Sequence, residues 1–254
     1  MGEALPQSGK KRLDRLLVER CMEETRQKAQ AIIMSGRVLV DGKKVEKAGT
    51  LVDEQASVEV LGSQARYVGR GGLKLEAALD QFAIDVHSQV WLDIGSSTGG
   101  FVDCLLQHGA ARVIAVDAGT NQLDWRMRQD PRVKLLERTN ARYLEWEQIG
   151  EKVDGITVDV AFISATLVLP PAVQFCNLGT RLLVLVKPQF EAGKGQVGRG
   201  GIVRDDKIRQ EAVEKVRRCA AGLGFTNLVT MPCPVLGAEG NREFFVTGIF
   251  SLAE

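Results

Sequence analysis

The stretch that most constrains this chain is Val90-Trp91-Leu92-Asp93-Ile94-Gly95-Ser96-Ser97-Thr98-Gly99-Gly100-Phe101. A short apolar run, a glycine-rich turn and a helical pattern read as a buried strand feeding a helix. In an open α/β sheet such a turn places a ligand beyond the carboxyl end of the strand. The rest of the chain keeps the same rhythm. Apolar runs predict strands over 90–94, 112–117, 133–136, 156–162, 182–187, 228–231 and 244–250. Helices are expected near 72–82, 100–108, 167–177 and 205–223. This alternation predicts an α/β, Rossmann-like sheet of seven mostly parallel strands with helices on both faces. The seventh strand follows the sixth after only a loop, so it is expected to run antiparallel.

The turn also narrows the ligand. A dinucleotide site needs G-x-G-x-x-G, and here Gly95 and Gly100 fit but Ser97 takes the middle place. No Gly-Lys-Ser/Thr follows, which excludes a P-loop. Asp93 disfavours a polyphosphate and suits a cation. Asp117 ends the next strand, 24 residues on, where a carboxylate can accept both hydroxyls of a ribose. S-adenosyl-L-methionine, with an ammonium, a sulfonium and no phosphate, matches that set. The expected cofactor residues are Asp93, Gly95, Ser96, Ser97, Thr98, Gly99, Gly100 and Asp117. Asn140, after the third strand, either touches the adenine or is an ordinary turn residue. The competing reading of the whole run is a glycine-rich turn capped by aspartates.

A different unit precedes this sheet. After a loose tail, Leu13, Leu16 and Leu17 stand at helical spacing, with Lys10, Lys11, Arg12 and Arg15 around them. A second helix runs from Thr25, its cap, to Met34, and Gly36 ends it. Asp41-Gly42 between Arg37–Val40 and Lys43–Val45 predicts a hairpin, and Ser57–Leu61 a further strand. Between Met1 and Arg70 there are 13 Lys/Arg against 10 Asp/Glu, and the basic residues bunch. Helix, helix and hairpin with charge on several elements favour a phosphate-binding surface, which would use Lys10, Lys11, Arg12, Arg15, Arg26, Lys28, Arg37, Lys43, Lys44, Arg66 and Arg70. The plainer reading is a solvated face. Through RLDRLL and TRQKAQAIIMSGRVLVDGKKV this stretch resembles the S4 RNA-binding domain, which implies recognition of structured RNA. The expected partition is an S4-like domain over 10–62, a linker over 63–72 and a catalytic domain over 73–254.

At the reacting end, Asp159 lies in the apolar run Ile156-Thr157-Val158-Asp159-Val160, and Lys187 closes Leu185-Val186-Lys187-Pro188. A buried charge must be paired or functional, and strand ends share one crevice. The alternative for Asp159 and Lys187 is a structural ion pair, and for Lys74 an exposed helix lysine. Lys74 in GGLKLEAAL, Asp159 in VDVAFIS, Lys187 in LVKPQFE and Glu243 in GNREFF are similar to the Lys-Asp-Lys-Glu tetrad of FtsJ-like 2′-O-ribose methyltransferases. With the basic module, the span from about Lys10 to Phe250 resembles the TlyA family of haemolysin-A-like rRNA methyltransferases. That resemblance implies methyl transfer from S-adenosylmethionine to a cytidine 2′-hydroxyl of 16S and/or 23S rRNA, with ribosomal subunits as the partner. Ala161 and Gly69 stand where the family usually has serines, and Tyr67 stands near the place of a linker tryptophan. In this reading Lys187 takes the proton, Lys74 favours its neutral form, and Asp159 and Glu243 orient the amines.

The glycine-rich residues Phe190 to Gly201 form either an active-site loop, with Lys194, Arg199 and Arg204 available for phosphates, or a surface loop without function. Trp125 and Trp146 are either base-stacking platforms or core residues. Five scattered cysteines with no CxxC pair, and only His87 and His108, predict reduced thiols in a cytoplasmic protein and no metal site. The N-terminus lacks the apolar segment of a signal peptide. Residues 155–169 carry no charge apart from Asp159, but that charge and Pro170-Pro171 oppose a membrane span. Net charge is only +1, so RNA affinity must come from local patches. Three other activities compete with the methyltransferase: a non-catalytic RNA-binding assembly factor, a pore-forming haemolysin and a pseudouridine synthase.

Overall fold

A computed structural model of the chain describes residues 9–20, 22–23, 25–61, 66–193, 195–237 and 239–251. Two compact units emerge, Met1–Ala65 and Arg66–Glu254. Cys21, Lys194 and the linker residues 62–65 lie outside the described residues.

The first unit is built from β1 (Lys10–Arg12), α1 (Leu13–Glu19), α2 (Arg26–Met34), β2 (Val38–Val40), β3 (Lys43–Val45), β4 (Leu51–Asp53) and β5 (Val58–Val60). Thr25 caps α2 as expected, its side chain accepting from the Lys28 amide at 3.2 Å. Asp41 (φ +49°) and Gly42 (φ +74°) make the left-handed pair that a two-residue hairpin between β2 and β3 requires. Lys10–Arg12 differs from the sequence reading. These residues are not helical: they pair antiparallel with β4, whose sequence is too short to announce itself. Leu13, Leu16, Leu17, Ala29 and Ile33 close the small core between the two helices and the strands.

Asp14 is fully buried at the start of α1. One of its oxygens, Oδ2, accepts from Arg12 Nη2, Arg26 Nε and Gln30 Nε2, all at 2.9 Å. Those bonds, Arg12's first, hold its carboxyl well below the usual carboxylate range.

The second unit contains α3 (Gly71–Gln81), β6 (Val90–Ile94), α4 (Gly100–Gln107), β7 (Arg112–Val116), α5 (Trp125–Gln129), β8 (Val133–Leu136), α6 (Trp146–Ile149) and β9 (Val153–Val158). It continues with α7 (Leu169–Ala172), β10 (Cys176–Val186), α8 (Pro188–Glu191), α9 (Asp206–Gly222), β11 (Phe225–Pro232) and β12 (Phe244–Phe250). The sheet order is β11-β12-β10-β9-β6-β7-β8. Strands β10, β9, β6, β7 and β8 run parallel, while β12 is antiparallel to both its neighbours, as the sequence predicted.

Alternation along the strands feeds two cores. Leu92, Ile94, Ile156, Val158, Leu182, Val184 and Val246 pack with Val213, Val216 and Ala220 of α9. On the opposite face Phe101 of α4 stacks on Phe245 of β12. Gly155 is required beside Trp91, its register partner, because a Cβ there would lie 2.5 Å from the indole ring. The expected helix over 167–177 is instead the four-residue α7 between two 3-10 turns. Pro170 and Pro171 are tolerated at its first turn but supply no amides for a longer ladder. No helix among the described residues is long and apolar enough to cross a membrane.

Candidate active site

The cofactor turn leaves β6 at Gly95 and enters α4 through Gly99, both left-handed at φ +91° and +96°. Gly95 and Gly100 are also needed for close approach. A Cβ on Gly95 would sit 2.5 Å from the Asp159 carbonyl oxygen, and one on Gly100 2.8 Å from the Gly72 nitrogen. The turn is thereby pressed between the end of β9 and the start of α3. Gly69, in place of a serine, lies equally close: its Cβ would meet Thr98 Oγ1 at 2.6 Å.

Two clefts meet at this turn and share Gly95, Ser97, Asp159, Ala161 and Phe162. The second, about 490 Å³, is lined by Asp117, Asn140, Ala141 and Val168 among others. Asp117 accepts from the Ser97 and Gly119 amides, each at 2.7 Å, and so fixes the turn while still facing the cleft. Asn140 caps the following turn, accepting from the Arg142 amide at 3.1 Å. The first cleft, about 560 Å³, is lined by Lys74, Asp159, Lys187 and Glu243, the four residues expected to carry chemistry. Lys74 Nζ lies 2.6 Å from Glu243 Oε2, and Lys187 Nζ lies 2.5 Å from Asp159 Oδ1. A residue of α3 and the residues flanking the ends of β9, β10 and β12 thus form two separate ion pairs at one mouth. Ser96 Oγ, on the same wall, is buried and has no partner.

Asp93 is placed differently from its cofactor-contacting expectation. It is 0% exposed and lines neither cleft; Thr157, its partner across β6 and β9, donates to Oδ1 at 2.6 Å while Oδ2 has no partner. Burial pushes its carboxyl up to about 7, Thr157 opposing and the Asp159 and Asp117 charges adding. A carboxyl raised in the fold contributes stability that is full below its unfolded value near 4 and is lost as pH rises through 7. Asp93→Asn is therefore expected to be more stable than the wild type by a few kcal/mol at pH 8. That advantage should grow from about pH 4 to pH 7 and then level off in urea unfolding; a difference independent of pH would contradict it.

The sequence missed several residues here. Phe162 is 93% exposed with φ +64°, and it leans on Phe190 at 5.3 Å between ring centres. Glu191 is buried and accepts from the Ser164 hydroxyl at 2.5 Å and the Ala165 amide at 2.6 Å, with Lys215 Nζ 3.0 Å away. Asn241 is buried and bridges two loops. None carries a local pattern; only the pairing of loops distant in sequence reveals them. The described end of the expected linker is tied to α4, with the Val68 amide donating to Asp103 at 2.8 Å and Gln107 to the Arg66 carbonyl at 2.8 Å.

The expected RNA contacts divide. Lys10, Arg15, Arg37, Lys43 and Lys44 are exposed. Arg12 and Arg26 share Asp14, Lys11 pairs with Glu19 at 2.6 Å, and Lys44 pairs with Glu46 at 2.8 Å. Lys28 is exposed on α2. In the second unit Arg66 pairs with Glu76, and Arg70 is exposed on the wall of the first cleft. Trp125 is 70% exposed, whereas Trp146 stacks on Phe175. Burial pushes the thiols of Cys104 and Cys176 up to about 12 and Cys233 to about 11, which removes them as nucleophiles near neutrality. Among the described residues no group of three acidic, His or Cys side chains could hold a metal ion.

Comparison with known proteins fits this geometry. Residues 67–250 match the FtsJ-like methyltransferase model and residues 11–58 the S4 domain model. The 16S/23S rRNA (cytidine-2′-O)-methyltransferase TlyA of Mycobacterium tuberculosis is 44% identical over 236 residues, covering 92% of this chain and 88% of that protein. The chain belongs to the TlyA family of FtsJ-like methyltransferases. Another relative, Hemolysin A of Brachyspira hyodysenteriae, is 40% identical over 238 residues, 92% of this chain and 97% of its own. A solved Streptococcus thermophilus structure that carries a hemolysin name superposes with TM-score 0.74 at 40% identity, covering 97% of this chain and 90% of that one.

Proposed function

We propose that this TlyA-family chain transfers a methyl group from S-adenosyl-L-methionine to a ribose 2′-hydroxyl, that of a cytidine in 16S and/or 23S rRNA. The observation that carries the reading is the pair of ion pairs, Lys74–Glu243 and Lys187–Asp159, lining one cleft with the glycine turn. Residues 10–62 would dock rRNA through their basic face, 63–72 would link, and 73–254 would carry the chemistry, in the cytoplasm where ribosomal subunits are. The relatives' rRNA substrates support that assignment of partner.

The residues present fit the cofactor. Gly95 lines both clefts where its turn packs against the Asp159 main chain, Ser96 offers an unpartnered hydroxyl, and Asp117 with Asn140 lines a cleft of nucleoside size. Ser96, Ser97, Thr98, Gly99 and Gly100 would hold the amino-acid end, Asp117 the ribose and Asn140 the adenine, while Asp93 would brace the turn from beneath through its bond to Thr157. S-adenosylmethionine supplies an electrophilic methyl on a sulfonium.

A ribose hydroxyl is a weak nucleophile, so the protein must align it and remove its proton. Lys187 is the base in this reading. Asp159 holds its amine at the mouth of the cleft, and Lys74, held by Glu243, opposes a second positive charge there. The carboxylates keep both amines in place without sharing one another's partner.

Mapping ribose methylation in rRNA with and without the protein, alongside methyl transfer to purified subunits, tests the reading. One or more cytidine 2′-O-methyl marks should appear only with the protein. Titration calorimetry with S-adenosylmethionine in the presence of subunits should show uptake. No uptake and no mark would leave a bare RNA-binding adaptor.

A further inference from the structure

We propose that Asn241 is a positioning residue for the tetrad: it ties the segment bearing Glu243 to the opposite lip of the cleft, so that Glu243 meets Lys74 in one geometry. The inference rests on the tetrad reading above. Asn241 is 1% exposed although it lies in a loop between β11 and β12. Its Oδ1 accepts from the Val203 amide at 2.9 Å, and its Nδ2 donates to the Gly201 carbonyl at 2.8 Å. Its own carbonyl accepts from the Gly237 amide at 2.9 Å. One side chain therefore clamps both a donor and an acceptor of the 201–203 backbone, and Gly201 lines the same cleft as Glu243.

Glu243 follows two residues later and depends on this arrangement. Its carbonyl accepts from the Cys233 amide at 2.8 Å, and its carboxylate fits between Lys74 and Gly237. A Cβ on Gly237 would lie 2.6 Å from Glu243 Oε1, so the carboxylate is packed against that glycine. A buried amide with both arms committed to main chain gains little net stability over its hydrated state, but it admits few alternative geometries. Sequence alone places Glu243 at the start of a strand. Asn241 decides where that start is held.

The test uses the full-length protein. Asn241→Ala is expected to lower kcat for methyl transfer to purified subunits by about 10–100-fold, with KM for RNA and affinity for S-adenosylhomocysteine unchanged. Amide exchange should accelerate at Val203 and through residues 242–247, while the melting midpoint moves little. Asn241→Asp, which keeps the acceptor for Val203 but loses the donor to Gly201, should recover part of kcat, and it carries the same test if the alanine variant does not fold. Unchanged kcat, or a kcat loss matched by equal losses in S-adenosylhomocysteine affinity and melting midpoint, would overturn the positioning role. If the wild type itself transfers no methyl, the tetrad reading fails. The exchange measurement still decides the clamp, since unchanged exchange at 242–247 would refute it.

Discussion

Lys187→Ala is expected to abolish methyl transfer, with a fall of about 10²–10⁴ in turnover, while S-adenosylhomocysteine and rRNA still bind. Lysine at 187 is set 2.5 Å from Asp159 at the mouth of the cleft. Two roles are compatible with that contact: a proton acceptor and a structural cation. Lys187→Arg separates them. A guanidinium preserves the charge opposite Asp159 but does not give up its proton in a protein. An inactive arginine variant with normal binding and normal melting supports the base. An arginine variant that turns over like the wild type would sink that role and leave a structural ion pair.

Gly95→Ala is expected to have the largest effect outside the tetrad. The backbone at Gly95 is at φ +91°, and a Cβ would lie 2.5 Å from the Asp159 carbonyl oxygen and 2.9 Å from its carbon. Both atoms are main chain, so no side chain can swing aside. Backbone strain of about 1–3 kcal/mol adds to an overpacking cost of about 1–3 kcal/mol, against a total stability of about 5–15 kcal/mol. The turn must move off β9, so S-adenosylhomocysteine binding should be lost together with much of the denaturation midpoint. Gly150→Ala is the control. Its φ is +75° but nothing lies within 4 Å of the added Cβ, so it reports strain without collision. Equal destabilisation of the two variants in urea would show that contact with Asp159 is unimportant.

Legibility in the sequence followed the range of the interactions involved. The strand Val90–Ile94, the hairpin at Asp41-Gly42 and the Thr25 cap were all readable, because each depends on neighbours a few residues away. Lys10–Arg12 was misread as helix because its partner strand lies some forty residues on. The 167–177 region shows helical apolar spacing, but two prolines remove the amides a full helix would use. Asp93 was expected on the cofactor wall because it precedes the turn. Instead its side chain turns across the sheet to Thr157, a pairing that exists only once β6 and β9 are aligned. The four tetrad residues could be named from resemblance, whereas their division into Lys74–Glu243 and Lys187–Asp159 needed coordinates. Glu191 and Asn241 left no trace in any pattern because each is a lone polar residue whose partners lie in segments distant in sequence.

The insertion of β12 between β10 and β11 also sets an order of events during synthesis. Lys74 and Glu243 stand 169 residues apart and meet only when the strand beginning at Phe244 has entered the sheet. A nascent chain stalled before that point already contains the S4-domain residues 11–58, yet lacks one of the two ion pairs of the cleft. The Lys74–Glu243 pair therefore cannot form until the strand beginning at Phe244 has been made.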